Sequence, residues 1–427
     1  MNRTRNTIRD RALPVVIVGG GVIGICCAYS LATDGIPVVL LERDEICSGC
    51  SFGNLGLLAT SHSIPLASPS AVSNAARWML DPESPFAVQW RMDKSLYKWL
   101  WQFLKASRTA RVQAATADLF KLVQASVNLF KEHGRSGEFA FGLEQHGLLE
   151  LFSTAKAFAE ARQSAGMLRR VGLRIDLLEG QEVKAIEPAA AATVVGALLY
   201  HDDCHVSPAA FVGGLAALAQ KAGAVIHEKC EVVNFTVSND AITGVETRRG
   251  TYNPSTVVLA AGSASAGLAR ALSLEMLVQP ARGYTFTVPR EGAWPMHPLM
   301  FAEAKVLVTP MGDKLRIGGT LELAATDSPV NLRRACSVTK RLNEYLDRPI
   351  SIDGTEPWAG YRPCSPDGFP IIGWSTKYSN LFYATGHGML GVTLGPITGQ
   401  ITSQLVRGLG SPIELDMVSP DRFGGVI

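Results

Sequence analysis

The hydrophobic and polar positions near the start of the chain predict a strand, a glycine turn and a helix in close succession. Val15–Val18 is an uninterrupted apolar run, and three glycines at 19–21 follow it directly. A helix is predicted over 23–33, and a second apolar run over 37–41 ends in Glu42. Short apolar runs bounded by turn residues are typical of strands buried on both faces. The segment therefore predicts a strand–helix–strand unit with a right-handed crossover.

The uncharged stretch 12–32 also has the hydropathy of a signal peptide or a membrane span. It follows four arginines, which adds to that appearance. Three adjacent glycines interrupt its middle, however, and each weakens a helix by roughly 1 kcal/mol relative to alanine. A continuous membrane helix is therefore disfavoured, and strand, turn and helix remain the prediction.

Strand and helix patterns of the same kind return at later places in the chain. Helices are predicted over 209–221 and 392–406, and strands over 224–235, 241–247, 256–260 and 381–384. Between these pieces lie polar and aromatic strand patterns at 147–151, 283–288, 306–309 and 315–318. Patterns of that kind indicate a mixed or antiparallel second sheet. We therefore predict an α/β fold: a discontinuous Rossmann-like domain with a second α+β domain that contains a mixed sheet.

Tryptophan is concentrated in one segment. Four of the seven tryptophans fall within 24 residues, at positions 78, 90, 99 and 101, beside Lys94, Lys98 and Lys105. A tryptophan-rich amphipathic helix with lysines can lie in a membrane interface. The segment can also be a helix packed on the second domain. Both interpretations stay open at the level of the sequence.

The balance of charge excludes one class of partner. The chain has 40 Lys and Arg against 38 Asp and Glu, and no long basic run concentrates its net charge of +2. Nucleic acid is therefore not an expected partner. Eight scattered cysteines form no dense disulfide framework, and the single C-x-x-C at 47–50 has no second pair at zinc spacing. We expect a reducing, cytoplasmic location and no bound metal.

The glycines of the first turn have the spacing of a dinucleotide-binding motif. Gly19, Gly21 and Gly24 form G-x-G-x-x-G between a strand and a helix, and Glu42 follows 18 residues after the third glycine. The first glycine turns tightly, the second admits a pyrophosphate and the third lets helix and strand pack closely. Phosphate is bound at the helix N-terminus and the acid binds the ribose hydroxyls. A purely structural glycine turn is the alternative, and the motif does not separate NAD from FAD.

Further motifs extend over nearly the whole chain. They are VVIVGGGVIG at 15–24, LLER at 40–43, SFGNLGLL at 51–58, VVLAAG at 257–262, RGYTFT at 282–287, LRIGGTLE at 315–322, WAGYRPCSPDGFPIIG at 358–373 and GHGMLGVTLGP at 386–396. In content and order they resemble the D-amino-acid oxidase-like family of FAD oxidoreductases, and within it the bacterial D-amino acid dehydrogenase branch. The resemblance implies FAD as cofactor, an FAD-binding domain of 12–60, 203–280 and 352–427, and a substrate domain of 61–202 and 281–351.

The resemblance also implies cofactor contacts. In the family, the segment matching 51–56 runs along the flavin ring, and backbone amides matching 386–391 approach the flavin pyrimidine. With the glycine motif, the expected contacts are Gly19, Gly21, Ile23, Gly24, Glu42, Arg43, Ser51, Asn54, Leu55, Gly56, Val233, Gly262, Gly388, Met389, Leu390, Gly391 and Thr393. Two alternatives stay open: an ordinary loop at 51–56, and Val233 as a plain core residue.

Three residues are expected at the substrate. By the resemblance, Arg362 pairs with the substrate carboxylate, which a guanidinium holds through two parallel hydrogen bonds. Tyr284 would hydrogen-bond the same carboxylate or the amine, and His387 would touch flavin or substrate. The alternatives are a surface arginine, a core aromatic and a histidine satisfied by backbone. The stretch 60–62 lies in the presumed pocket and departs from the dehydrogenase branch.

The implied reaction is oxidative deamination of a D-amino acid. Hydride passes from Cα to flavin N5, and the imine is hydrolysed to a 2-oxo acid and ammonia. The dehydrogenase branch passes electrons to quinone, which would place the protein peripherally on the inner face of the cell membrane. A soluble oxidase of amino or imino acids that uses O₂ stays open, as does a flavin subunit of a hetero-oligomeric hydroxyproline or amine dehydrogenase.

Overall fold

The predicted strand–helix–strand unit opens the structure. A computed structural model describes residues 13–69, 71–73, 84–292, 294–411 and 413–423 of the chain. Its first elements are β1 (Val15–Val18), α1 (Val22–Thr33) and β2 (Val38–Leu41). β1 and β2 pair in parallel with Val15 opposite Val38, which confirms the predicted crossover unit.

The first large sheet collects strands from the beginning, middle and end of the chain. Beside β1 and β2 it contains β9 (Val225–His227), β13 (Thr256–Leu259), β20 (Ile371–Trp374) and β21 (Leu381–Thr385). The order of the strands is β20-β21-β13-β1-β2-β9. All neighbours run parallel except β20 and β21. Every residue of β1, β13 and β21 is buried, as strands covered on both faces require, and the predicted discontinuous domain is confirmed.

The strand predicted over 224–235 is wrong as a single element. β9 belongs to the first sheet, whereas β10 (Val232–Ser238) forms a three-stranded antiparallel sheet with β11 (Ala241–Thr247) and β12 (Gly250–Tyr252). Lys229, between the two halves, has a φ of 53°, in the left-handed region. That residue breaks the extended chain, and the apolar pattern does not reveal the break because both halves are strands.

The second large sheet mixes parallel and antiparallel neighbours, as predicted. Its strands are β4 (Phe86–Val88), β5 (Leu148–Phe152), β6 (Ile175–Glu179), β7 (Gly196–Tyr200), β14 (Gln279–Pro289), β15 (Leu299–Phe301), β16 (Val306–Met311), β17 (Lys314–Gly318), β18 (Leu321–Leu323) and β19 (Trp358–Cys364). Their order is β4-β18-β14-β17-β16-β15-β5-β7-β6, with β19 paired to β14. β4 with β18 and β5 with β15 run parallel. β3 (Leu57–Leu58) and β8 (Cys204–His205) form a separate pair.

Helices cover both large sheets. Beside α1 they are α2 (Lys94–Ala106), α3 (Thr109–Ser136), α4 (Ala155–Arg170), α5 (Gln181–Ile186), α6 (Pro208–Lys221), α7 (Ser265–Ala271), α8 (Leu332–Leu342) and α9 (Gly391–Val406). α1, α3, α6 and α9 share the core of the first sheet, and α5 and α8 that of the second. α9 approaches α1 so closely that a Cβ on Gly399 would lie 2.4 Å from the Cys26 carbonyl oxygen.

Two elements reach across the domain boundaries expected from the sequence. Most of the buried apolar residues of α3 belong to the core of the first sheet, although the expected substrate domain includes them: Ala115, Leu119, Leu122, Val123, Val127 and Phe130. β19 comes from the expected FAD-binding segment 352–427, yet it pairs with β14 of the second sheet, with Ala281 opposite Arg362. These two elements connect the two sheets. Through β19, residues of the segment 352–427 become part of the second sheet.

The tryptophan-rich segment packs by one face only. In α2, Trp99 is buried, and its Nε1 donates a hydrogen bond to the Cys364 carbonyl oxygen at 2.9 Å. Trp90 and Trp101 are more than half exposed, and Trp78 lies outside the described residues. Among the residues that the structure describes, no helix combines the length and apolarity needed to cross a lipid bilayer.

Candidate active site

The glycine turn between β1 and α1 has no room for side chains at two of its motif positions. Gly19 has a φ of 112°, and a Cβ there would lie 2.6 Å from the Ala260 carbonyl oxygen. A Cβ on Gly24 would lie 1.8 Å from the Gly19 carbonyl oxygen. Gly21, at the N-terminus of α1, lines a large cavity. The turn therefore presents bare backbone and the positive end of a helix to that cavity.

Glu42 lies beside this turn, directly after β2. Its Oε2 accepts a hydrogen bond from the Gly20 amide at 2.5 Å, and its Oε1 accepts one from the Asp44 amide at 2.8 Å. Arg43 is largely exposed and pairs with Asp44 at 3.1 Å. Because parallel strands end at this edge, the carboxylate and the start of α1 occupy the places where dinucleotide folds bind ribose and diphosphate.

The predicted flavin loop is held firmly by its own polar groups. Ser51 Oγ accepts a hydrogen bond from the first amide of α1 at 3.0 Å, and Asn54 Oδ1 accepts one from the Gly56 amide at 2.7 Å. Gly56 has a φ of 71°, and a Cβ there would lie 2.1 Å from the Val206 carbonyl oxygen. Ser51, Asn54 and Leu55 line the cavity, whereas Gly56 packs behind them against Val206.

Arg316, which the sequence analysis did not single out, ties this loop to the second sheet. From β17, its Nη1 donates hydrogen bonds to the carbonyl oxygens of Phe52 (2.5 Å) and Asn54 (2.9 Å). Burial lowers the pKa of this guanidinium, and the nearby Cys47 thiol acts in the opposite direction. A charged residue in the middle of the predicted strand 315–318 is the sequence signal from which a role for Arg316 could have been predicted.

Arg362 reaches the cavity from β19. Its Nη1 donates a hydrogen bond to the Thr320 carbonyl oxygen at 2.7 Å. Gly283 on the neighbouring strand makes room for the guanidinium, because a Cβ there would lie 2.4 Å from both Nη1 and Nη2. Among the described residues, Nη2 has no hydrogen-bond partner. A fixed guanidinium with an uncommitted donor is suited to an incoming carboxylate.

The side chain of Tyr284 faces away from the cavity, in which a contact with substrate was expected. Successive side chains of β14 alternate between two faces, so that Gly283 and Thr285 line the cavity while Tyr284 is fully buried on the opposite side. Its hydroxyl donates to Glu322 Oε2 at 2.9 Å and accepts from the Asn331 amide at 3.1 Å. Burial raises the pKa of the phenol. Tyr284 is therefore a satisfied core residue, the alternative left open by the sequence.

Val233 lies off the cavity for the same geometric reason. On β10 the side chain of Val232 is buried and lines the cavity, whereas that of Val233 is 47% exposed. The residues that reach the cavity at this point are Glu231 and Val232, so the adenine-side contact expected of Val233 is not available to its side chain.

His387 is held inside the glycine-rich turn 386–391, which includes the short 3₁₀ turn Gly388–Leu390. Its Nε2 lies 2.9 Å from Thr398 Oγ1, and that hydroxyl donates its proton to a carbonyl one helical turn earlier. Nε2 must therefore be the donor of this hydrogen bond. Burial lowers the pKa of His387 to about 3. The ring ties the turn to α9 and is not placed to exchange protons with solvent.

These elements surround a cavity of about 2530 Å³, larger than the roughly 300–1,000 Å³ of most small-molecule sites. The predicted residues that line it are Gly19, Gly21, Ile23, Glu42, Arg43, Ser51, Asn54, Leu55, Gly262, Arg362, His387, Gly388, Met389, Leu390, Gly391 and Thr393. Gly24 and Gly56 shape its wall from behind, and Val233 and Tyr284 stand apart from it. Glu150 and Lys305 line it as well, without having been singled out from the sequence.

The fold and the cavity together define a class of protein. A bare glycine turn, a helix N-terminus and a carboxylate at the edge of a parallel sheet form a cradle for a dinucleotide. A second sheet closes the same cavity and places the guanidinium of Arg362 in its wall. This is the arrangement of a two-domain oxidoreductase that holds a dinucleotide cofactor against its substrate.

Comparison with known families makes the assignment specific. The chain matches the family described as FAD dependent oxidoreductase, DAO, over residues 14–405, and it belongs to that family. FAD is therefore the cofactor, and the site fits it, because the N-terminus of α1 at Gly21 and the carboxylate of Glu42 both line the cavity.

The curated relatives match over almost their whole length. The chain is 32% identical over 418 residues to D-amino acid dehydrogenase of Paramagnetospirillum magneticum, covering 96% of this chain and 99% of the relative. It is 30% identical to the enzyme of the same name from Cereibacter sphaeroides, covering 96% and 95%. Among solved structures, glycine oxidase from Geobacillus kaustophilus shares the fold with a TM-score of 0.75 at 24% identity, covering 96% of this chain and 98% of that one.

Proposed function

We propose that this protein is an FAD-dependent D-amino acid dehydrogenase that converts a D-amino acid to a 2-oxo acid and ammonia. Support comes from relatives of that name that match end to end. The observation that carries the proposal is the place of Arg362, whose guanidinium fills a space left by Gly283 in the wall of the cofactor cavity. A cation fixed there binds the group that all amino acids share.

The nucleotide end of FAD is assigned to the first sheet. The N-terminus of α1, after Gly19 and Gly21, would bind the diphosphate, and Glu42 would accept hydrogen bonds from the ribose hydroxyls. The loop 51–55 and the turn 386–391 line the flavin part of the cavity. When bound, FAD supplies the acceptor for the hydride.

The protein's own residues orient the substrate. Arg362 holds the carboxylate by two charge-assisted hydrogen bonds, which fixes the position of Cα. The substrate loses a hydride from Cα and a proton from nitrogen, and water then converts the resulting imine to 2-oxo acid and ammonia. Neither His387 nor Tyr284 is placed to act as a base, so most of the rate enhancement comes from orientation.

Anaerobic bleaching of the purified chain tests this proposal. The yellow protein should lose its flavin absorbance with D-alanine or another D-amino acid and keep it with the L-enantiomer. Colour that no amino or imino acid bleaches would overturn the proposal and favour a flavin subunit of a larger assembly. Reoxidation in air, compared with reoxidation by a quinone analogue, separates an oxidase from a dehydrogenase.

We further propose that α2 contacts the cell membrane and that quinone is the electron acceptor. The solvent-facing side of the segment 90–104 exposes Trp90, Met92, Tyr97, Trp101 and Leu104. Lys105 lies over the Trp101 ring, with Nζ 3.1 Å from its centroid, so cationic and aromatic groups share this face. Such a surface is suited to the interface of an anionic bilayer.

Flotation with vesicles of anionic lipid tests the membrane contact. The wild-type chain should float with anionic vesicles and much less with neutral ones. Changing Trp90 and Trp101 to serine should abolish flotation, whereas the same change at Val195, an exposed residue elsewhere, should not. Equal flotation of both variants would contradict the assigned surface.

A further inference from the structure

A second polar group faces the cavity from an otherwise apolar part of the second sheet. β5 turns Leu148, Glu150 and Phe152 toward the cavity, while Leu149 and Leu151 enter the core shared with α8. Across the parallel register, Glu150 lies opposite Met300, which also lines the cavity. Burying a carboxylate on such a face costs free energy, so we expect Glu150 to have a function.

Glu150 has acceptor capacity to spare. The Tyr200 hydroxyl donates a hydrogen bond to its Oε2 at 3.0 Å. A carboxylate can accept about four hydrogen bonds, so a single phenol leaves most of its lone pairs for other donors. Burial raises the pKa of Glu150, which the charge of Lys305 partly counteracts. The carboxylate thus stands in the cavity wall with one identified protein donor among the described residues.

His62 lines the same cavity, and its neighbour Ser61 is held by a buried carboxylate. Asp203 is fully buried and accepts hydrogen bonds from Thr60 Oγ1 (2.5 Å), the Ser61 amide (2.9 Å) and Ser61 Oγ (2.5 Å). Since Ser61 Oγ gives its proton to Asp203, its 3.4 Å contact with His62 Nδ1 requires that Nδ1 donate. The imidazole then presents Nε2 as an acceptor. Burial, with the charge of Lys305, lowers the pKa of His62 to about 4, so the ring is neutral.

Lys305 lies near both His62 and Glu150, and its backbone lies beside the segment that binds Arg362. Its charge acts on both His62 and Glu150, and all three side chains line the cavity. A Cβ on Gly319 would lie 2.1 Å from the Lys305 carbonyl oxygen, and the next residue, Thr320, accepts the hydrogen bond from Arg362. Arg362 and the Lys305 backbone therefore both lie beside the short segment 319–320.

We propose that His62, Glu150 and Lys305 form the subsite for the substrate side chain and select D-amino acids with an uncharged hydrogen-bonding side chain. This inference rests on the proposed function and specifies its substrate class. The subsite offers two acceptors and one cationic donor. Lys305 would repel an ammonium group and Glu150 would repel a carboxylate. An aliphatic side chain would offer no partner to the free lone pairs of Glu150, to His62 Nε2 or to the Lys305 ammonium. A carboxamide or hydroxyl supplies both donor and acceptor.

D-asparagine, D-aspartate and D-leucine have nearly the same shape and differ in this chemistry. For the wild-type holoenzyme, kcat/KM for D-asparagine should exceed that for D-leucine and for D-aspartate by about tenfold or more. In the separate variants Glu150→Leu and His62→Phe, the ratio of D-asparagine to D-leucine should fall toward one. The milder Glu150→Gln keeps the volume and should lower the ratio in the same direction if Glu150→Leu does not fold.

Matched surface changes control for the loss of a carboxylate or an imidazole. Glu356→Leu and His201→Phe alter partly exposed residues outside the cavity and should leave the substrate ratio unchanged. A wild-type ratio at or below one, or a ratio unaltered by the Glu150 and His62 variants, would overturn the subsite. If the wild type oxidises D-alanine in that case, the proposed function still stands; if no D-amino acid bleaches the flavin, the proposed function itself has failed.

Discussion

Arg362 depends for its position on a residue that has no side chain. Gly283 lies on the neighbouring strand where any Cβ would collide with the guanidinium, and the Thr320 carbonyl holds one of its nitrogens. The motif around Arg362 predicted a carboxylate anchor but not these supports, because the pairing of β14 with β19 joins positions nearly eighty residues apart. The side chains of Tyr284 and Val233 point away from the cavity for a related reason. Strand alternation decides which side chains reach the cavity, and the phase of that alternation relative to the cavity is a tertiary property.

Replacing Arg362 by alanine tests the anchor. We expect kcat/KM for any D-amino acid to fall by about 10- to 100-fold, mainly through KM, because charge-assisted hydrogen bonds to the carboxylate are lost. The visible flavin spectrum should persist, since the nucleotide cradle lies on the other sheet. Arg174→Ala, at an exposed ion pair with Asp202, is the control. Wild-type kinetics in Arg362→Ala would remove the assignment.

Asp203 gives the stability of the protein a measurable pH dependence. Burial raises its pKa from 3.8 to about 6, against the opposing effect of the hydrogen bonds from Ser61 and Thr60. The folded state therefore binds the proton more tightly than the unfolded state. Stability from this group is greatest below pH 4 and is lost as the pH rises through 6, by about 3 kcal/mol in total.

Urea unfolding of the wild type and of Asp203→Asn, each between pH 4 and 7.5, measures this contribution. The free energy of unfolding of the wild type minus that of the variant should decrease as the pH rises. Taking the difference cancels the titration of all other groups. A constant difference, or one that moves the other way, would show that Asp203 does not carry the raised pKa.

Among the elements, helix α1 has the largest part in forming the cofactor cradle. Its glycines allow contact with β1 at one end and α9 lies against its flank. The spacing of the motif and the two flanking apolar runs were enough to predict this unit correctly. The division of 224–235 into two strands was not predictable in the same way, because a single left-handed residue separates segments of equal strand character.

Gly24→Ala should disrupt this unit. The added Cβ would lie 1.8 Å from the Gly19 carbonyl oxygen, so α1 must shift away from β1. We expect a loss of about 1–3 kcal/mol of stability together with loss of bound flavin. Gly213→Ala on α6 is the matched control, because a Cβ there meets nothing within 4 Å and alanine favours helix by up to about 1 kcal/mol. Thermal unfolding and the flavin absorbance per chain report both effects, and equal behaviour of the two variants would refute the close-contact argument.

The two large sheets share one cavity, and α3 and β19 connect them. Arg316 holds the flavin loop from the second sheet, β19 leaves the C-terminal segment to pair with β14, and α3 enters the first core. A cofactor that fills the cavity touches both parts. Its binding should therefore stabilise the chain as a unit.

Thermal unfolding of the cofactor-stripped protein with added FAD or FMN tests that coupling. FAD at a hundredfold excess over its Kd should stabilise the chain by about 2.7 kcal/mol, with a further rise at higher concentration. FMN lacks the adenylate half that the glycine turn and Glu42 bind, so it should stabilise much less at equal concentration. Equal stabilisation by both would argue against a nucleotide bound at α1.

Short-range pattern and residue identity at fixed spacing were enough to predict the first strand–helix–strand unit, the dinucleotide motif and the resemblance to a family. Which residues meet in the cavity depends on the packing of the whole chain. Glu150 reaches the cavity from β5, whose partner β15 is distant in the chain, and Lys305 reaches it from the turn between β15 and β16. Arg316 on β17 donates hydrogen bonds to the carbonyl oxygens of Phe52 and Asn54, and Tyr284 lies one position out of phase with the cavity-facing side chains. Pairing register and strand phase set these distances, and both arise from packing over the whole chain.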